Sequence, residues 1–248
     1  MDTTLDEDEV MVRDSARRFL EAECPTSLVR EMEKDEKGYP PDLWRQAAEL
    51  GWQGLALPEE YGGSEMPLTY LGLVLQEVGR ALAPLPLLST VATASVLAKN
   101  ASNEQCQSVL PAVASGESIL TWAFTEQDPR MLPQSVQAQA VADGDDFVLN
   151  GTKLFVDNFS VADQCLVVCR TAAASEANEG LSLFLMDCDS PGVSHRDLVT
   201  LAKDKHSEVT FRDVRIPRTR LIGDLNEGAP IAEHLIELAT ALLCSQML

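Results

Sequence analysis

The 248-residue sequence predicts an α+β protein with its layers in series. An all-α N-terminal helical domain (residues 1–117) leads into an antiparallel β-barrel or sandwich (118–224). The chain closes on a further helical segment (225–248). Three observations predict this order. Apolar residues recur at helical spacing as far as Ala114. From Ser118 to Gly223 the texture changes to short apolar or alternating runs with tight turns such as Asp143-Gly144-Asp145. Helical spacing then returns and runs to Leu248, apolar around most of its circumference.

Each helix has its own signals. Val12, Ala16, Phe19 and Leu20 share one face of a helix over 6–23, acidic in its first turn as the helix dipole favours. Cys24-Pro25 ends it, and a short helix follows from Ser27 to near Gly38. Pro40-Pro41 opens a third, with Leu43, Trp44, Ala47 and Leu50 inward and Gly51 as its stop. Residues 51–63 hold glycines and Pro58 around apolar residues, the pattern of an irregular buried connection. Residues 68–82 form a central helix. Another runs on through Leu97 after Pro84 and Pro86, and 104–114 form a last one before Gly116.

Strands are predicted at 119–124, 136–142, 147–150, 154–156, 165–169, 181–187, 193–195, 209–211 and 214–216. The small, polar segment 172–180 reads as a surface loop. The final helix, 231–248, leaves Leu242, Leu243, Met247 and Leu248 in need of a partner.

Composition narrows the function. With 45% hydrophobic and 23% charged residues the chain reads as a soluble globular protein. A net charge of −20 opposes a nucleic-acid partner and an anionic membrane, since both are recognised by basic surfaces. No run is apolar and long enough to span a bilayer, and the acidic start lacks a signal core, so a cytoplasmic location is expected. The six cysteines lack metal spacing, and no metal is expected. Cys165 and Cys169 sit at an even offset on one strand face, as small buried hydrophobes. His195, His206 and His234 are dispersed and read as surface or capping residues. Phosphate-cradling Gly-rich loops and a Gly-x-Ser-x-Gly elbow are absent.

Several motifs occur together and in order. They are Gly51-Trp52-Gln53-Gly54-Leu55 with Pro58-Glu59-Glu60-Tyr61-Gly62-Gly63, Glu77-Val78-Gly79-Arg80, Phe124-Thr125-Glu126, and Gly151-Thr152-Lys153-Leu154-Phe155-Val156. Residues 208–217 with Leu221-Ile222-Gly223 complete the set. Collectively they resemble the acyl-CoA dehydrogenase family, in a divergent branch similar to the carnitine-related dehydrogenases. The resemblance covers essentially the whole chain. It implies a helical domain, a β-domain and a C-terminal four-helix bundle, so that 225–248 would be the first helix of an incomplete C-terminal helical bundle.

The resemblance also implies FAD as cofactor and an acyl-CoA thioester as substrate. A carboxylate removes the α-proton while the β-hydrogen leaves as hydride to the flavin, giving a 2-enoyl-CoA. Electron-transfer flavoprotein is then the implied electron acceptor, and a homo- or hetero-oligomer the implied assembly. Position by position, Trp122, Phe124 and Thr125 would face the flavin, Phe155 would stack beside it, and Val156 and Asp157 would pass near its N5 edge. Without the resemblance, Trp122, Phe124 and Phe155 read as ordinary β-core residues.

The chain also departs from the family. Gln127-Asp128-Pro129-Arg130-Met131-Leu132-Pro133 stands where the family usually has a Gly-rich loop, and Asp157 where it commonly has Ser or Thr. An ionised carboxylate there would oppose a reduced, anionic flavin. The family's usual catalytic glutamate would fall beyond Leu248. A minority place it on the first bundle helix, where Glu237 falls, followed here by Leu238 rather than Arg. Two alternatives to the enzyme therefore stand. One is a non-catalytic subunit or fragment that pairs with a complete homologue. The other is a plain module that binds CoA thioesters.

Overall fold

The computed structural model describes residues 4–128, 130, 132–172 and 180–248. Its N-terminal layer holds α1 (Glu7–Glu23), α2 (Thr26–Met32), α3 (Pro41–Glu49), α4 (Leu68–Arg80), α5 (Leu87–Asn100) and α6 (Asn103–Ala114). α1 starts at a capping box: Glu9 N–H donates to Asp6 at 2.8 Å, and Asp6 N–H to the Glu9 carboxylate at 3.0 Å. Ser102 and Gln105 cap α6 in the same way.

The Glu77-Val78-Gly79-Arg80 motif joins three helices. Glu77 is fully buried, and its carboxylate accepts from Arg17 of α1 at 2.7 and 3.1 Å and from Arg80 at 2.6 Å. Gly79 lies against the C-terminal end of the last helix, where a Cβ would come within 1.7 Å of the Gln246 carbonyl oxygen. The motif is thus a packing device.

The β-domain contains β1 (Leu120–Ala123), β2 (Gln139–Asp143), β3 (Asp146–Asp157), β4 (Gln164–Arg170), β5 (Leu181–Asp187), β6 (Val193–Leu198), β7 (His206–Pro217) and β8 (Leu221–Ile222). They form one sheet in the order β6-β7-β3-β2-β4-β5-β8, with β1 paired to β4. Five pairings are antiparallel, as expected from the tight turns. β1 and β4 pair in parallel, and β2 meets β4 through one parallel bridge, Gln139 to Arg170, so the sheet is mixed. The β2–β3 hairpin intervenes between β1 and β4 and supplies the long connection a parallel pair needs.

Two predicted pairs of short strands merge. Segments 147–150 and 154–156 are one strand, β3, and segments 209–211 and 214–216 are one strand, β7. Each carries a bulge that breaks its alternation: β7 has an extra residue opposite Asn150, and β3 one opposite Glu208. The loop expected at 172–180 lies outside the described residues except at its two ends.

β4 shows why the run 165–169 is apolar on both faces. Leu166 and Val168 enter the core shared with the helices, and Cys165, Val167 and Cys169 enter the β-domain's own core. Both cysteines share one face, as their spacing implies. Burial raises both thiols, Cys169 to about 12.

The last helix, α7 (Ala229–Gln246), is pinned where Gly228 N–H donates to the Leu181 carbonyl at 2.8 Å. It buries Leu235, Leu238, Ala239 and Leu242 against the helical layer and leaves Leu243, Met247 and Leu248 exposed. No helix among the described residues is long and apolar enough to cross a membrane.

Candidate functional site

β1 and β3 end side by side. Past Ala123 the chain leaves β1 with Phe124 and Thr125, and the Thr125 carbonyl accepts the Leu154 N–H at 2.8 Å. The Thr121 hydroxyl donates to the Asp157 carbonyl at 2.5 Å, tying the end of β3 to β1. Residues 30 to 32 positions apart thereby form one ledge: Thr125 on one side, Phe155 to Asp157 on the other.

A buried ion pair holds this junction. The Lys153 ammonium, none of it exposed, donates to the Phe124 carbonyl at 3.0 Å and to Glu126 Oε1 at 2.8 Å. Glu126 in turn accepts the backbone N–H of Gln137 at 2.7 Å and of Ala138 at 3.0 Å. Burial lowers the lysine's pKa, and the Glu126 charge opposes that shift. Lys153 was legible only as part of a motif. Nothing in its neighbours forecast burial, and a polar Gly-Thr-Lys stretch reads as surface.

Phe155 sits on the β3 bulge with φ of 53°, a left-handed conformation that an aromatic residue rarely adopts. The bulge turns its ring outward, leaving it 57% exposed. Asp157, next on the same face, is paired in register with His206 of β7. His206 Nδ1 lies 4.0 Å from Asp157 Oδ1, while Nε2 lies 3.0 Å from Asp204 Oδ2. The Asp204 carboxylate also accepts the Thr200 hydroxyl. The imidazole edge meets the Phe155 ring, centroids 6.3 Å apart. Burial, reinforced by Asp204 and opposed by His206, pushes the Asp157 carboxyl up to about 6.

The predicted site residues separate into two groups. Thr125, Phe155 and Asp157 present polar atoms or a ring at the ledge, and the Thr125 hydroxyl has no hydrogen-bond partner among the described residues. Phe124 and Val156 are buried and lie behind it, and Trp122 packs partly buried against the helical core. The Phe124 ring, expected to face a ligand, is buried in the core shared with the helices, and its carbonyl accepts from Lys153. Glu237 is exposed on α7, on the face away from Leu235, Leu238 and Leu242. His206, read from the sequence as a surface or capping residue, joins the ledge through its register with Asp157.

No group of three or more metal-ligating side chains among the described residues is arranged to hold a metal ion. A polar cavity of about 490 Å³ lies elsewhere, between α6 and the start of β4, lined by Ser108, Glu117, Asp163 and Asp187 among others.

Residues 6–117 match the family pattern "Acyl-CoA dehydrogenase, N-terminal domain", and residues 121–214 match "Acyl-CoA dehydrogenase, middle domain". The chain belongs to the acyl-CoA dehydrogenase family. Members of this family are FAD-dependent oxidoreductases that act on acyl-CoA. The acyl-CoA dehydrogenase FadE12 of Mycobacterium tuberculosis is 32% identical over 196 residues, covering 77% of this chain and 50% of its own length. The probable acyl-CoA dehydrogenase YngJ of Bacillus subtilis is 29% identical over 234 residues, 92% of this chain and 61% of that protein. An acyl-CoA dehydrogenase structure from Geobacillus kaustophilus superposes with a TM-score of 0.88 at 25% identity, covering 99% of this chain and 66% of that one. The chain spans about half the length of FadE12. Within these matched regions of the chain, Glu77 and Gly79 assemble the helices, and Lys153 and Glu126 assemble the ledge.

Proposed function

We propose that the chain carries the flavin-facing part of an acyl-CoA dehydrogenase, which converts an acyl-CoA thioester to its 2-enoyl-CoA. The observation that carries this reading is the ledge. An unpartnered hydroxyl on Thr125, an outward ring on Phe155 and the partly exposed Asp157 meet at two strand ends within a chain of this family. These groups suit a planar heteroaromatic ring with polar edges: Phe155 offers a face for stacking and Thr125 a donor.

Bound FAD supplies an acceptor for the hydride that leaves the acyl β-carbon. This chain's residues do the positioning. Lys153 and Glu126 hold the two strand ends in place, Phe155 excludes water from one side, and Thr125 donates to the ring's polar edge. Glu237 is the carboxylate we assign to take the α-proton. Electron-transfer flavoprotein is the proposed acceptor of the electrons, the location cytoplasmic, and the assembly a homo- or hetero-oligomer.

A visible absorption spectrum of the purified chain tests the reading. Oxidised flavin bands that bleach on adding butyryl-CoA or longer saturated acyl-CoAs support it. A second reading, a non-catalytic subunit that pairs with a complete homologue, is favoured by the exposed Leu243 of α7 and the exposed Met247 and Leu248 just past it. A colourless chain that acquires flavin only beside such a partner would select it.

A further inference from the structure

Asp157 and His206 place an uneven proton store at the ledge. His206 sits between two carboxylates, but its Nε2 alone is within hydrogen-bond distance of one, Asp204. Its Nδ1 has no hydrogen-bond partner and faces Asp157 across 4.0 Å. One added proton, on Nδ1 or on the Asp157 carboxyl, would close that gap into a hydrogen bond. On the neighbouring β6, the Asp197 carboxylate accepts the Ser207 hydroxyl at 2.9 Å. Thr121 of β1 meets the Asp157 carbonyl, and the Asn158 amide reaches Ser89 of α5 at 3.3 Å. The nearby cation, Lys205, turns its ammonium toward the Asp35 carbonyl at 2.7 Å.

Phe155 and Asp157 lie on one face with buried Val156 between them. A ring laid against Phe155 therefore covers the remaining exposed edge of Asp157, whose side chain is 25% exposed without it. Removing that last water contact from an ionised carboxylate is costly, and taking up a proton avoids the cost. We infer that the ledge binds its planar ring ligand together with one proton, held by the Asp157–His206 pair. The inference rests on the flavin reading of the ledge and adds a linkage: affinity falls as pH rises. The slope approaches about tenfold per pH unit once Asp157 is ionised in the free chain.

The test is titration of the 248-residue chain with FAD by flavin fluorescence between pH 5.5 and 8.5, beside Asp157→Asn, with the Asp157 carboxyl carbon followed by NMR in the absence of flavin. Affinity should fall about a hundredfold across the upper two pH units in the parent chain and stay flat in Asp157→Asn. The Asp157 carboxyl should take up its proton within this range in the flavin-free parent. A flat parent profile, or an equal slope in both chains, overturns the linkage. If FAD binds neither chain at any pH, the linkage falls together with the flavin reading. An Asp157 carboxyl that takes up a proton within this range in that case places the failure in the ligand, and one that does not places it in the proton store itself.

Discussion

Lys153 Nζ lies 2.8 Å from Glu126 Oε1, 27 residues away in sequence, and the lysine has no exposed surface. The pair spans the strand ends that carry Thr125 and Phe155. A buried ammonium is tolerated only when it is paired, and two of this one's three N–H groups reach the Glu126 carboxylate and the Phe124 carbonyl. Lys153→Met strands a nearly buried carboxylate and should destabilise the chain by about 3 kcal/mol or more. Adding Glu126→Gln to it should recover part of that loss, since a neutral amide needs no ammonium partner, although its one oxygen keeps only one of the Gln137 and Ala138 N–H bonds. Urea-unfolding midpoints of the single and double variants check this. Additive losses would mean that the two charges do not couple.

Glu77 predicts a pH dependence of stability. Burial pushes its carboxyl up, but Arg17 and Arg80 outweigh that and hold it below the ordinary glutamate value of 4.5. A group depressed on folding contributes stability above its unfolded pKa, and loses it as pH falls through the folded one. Glu77→Gln should therefore cost about 2 kcal/mol at pH 7, less than a fully buried pair because both arginines are partly exposed. The gap between the two chains should narrow steadily below pH 4.5. Thermal melts at pH 7, 5 and 3.5 measure it, and a constant gap would refute the ion-pair account.

Gly79 sets the sign of a glycine-to-alanine change. In an open helix Ala is favoured by about 1 kcal/mol. Here the added Cβ would meet the Gln246 oxygen at 1.7 Å, so the end of α7 must move. Gly79→Ala should lower stability by about 1–3 kcal/mol and strip amide-exchange protection from the last turn of α7. Protection unchanged there would contradict the close approach.

Phe155 should separate stability from binding. Its left-handed backbone costs about 1–2 kcal/mol, and a glycine there removes that strain. Phe155→Gly should leave stability within about 1 kcal/mol of the parent. Its loss of ring stacking should weaken FAD binding about tenfold. Equal FAD affinity in both chains would place the ring ligand elsewhere.

Glu237 is exposed and carries no ion pair among the described residues. If it takes the α-proton, Glu237→Gln should retain flavin absorbance while butyryl-CoA bleaches it at least about a hundredfold more slowly. An unaltered bleaching rate assigns that proton to another carboxylate.

The helices and strand faces were legible because they depend on local spacing. Val12, Ala16, Phe19 and Leu20 lie on one side of α1, and Cys165 and Cys169 lie on one side of β4, for reasons contained in a few consecutive residues. The merged strands β3 and β7 were not legible, because a bulge looks like a break when only alternation is read. His206 was invisible as a site residue for the same reason: its neighbours in sequence do not include Asp157.

The sequence by itself determined the order of layers, the motifs at 124–126 and 151–156, and the family to which they point. Tertiary structure decided that a lysine in a polar stretch is buried, that Phe124 turns inward while Phe155 turns out, and that β1 and β4 run in parallel. Periodicity records which face of an element meets the core. Burial of a charge and the aim of a bulged side chain depend on partners from distant segments, and only the folded chain brings those together.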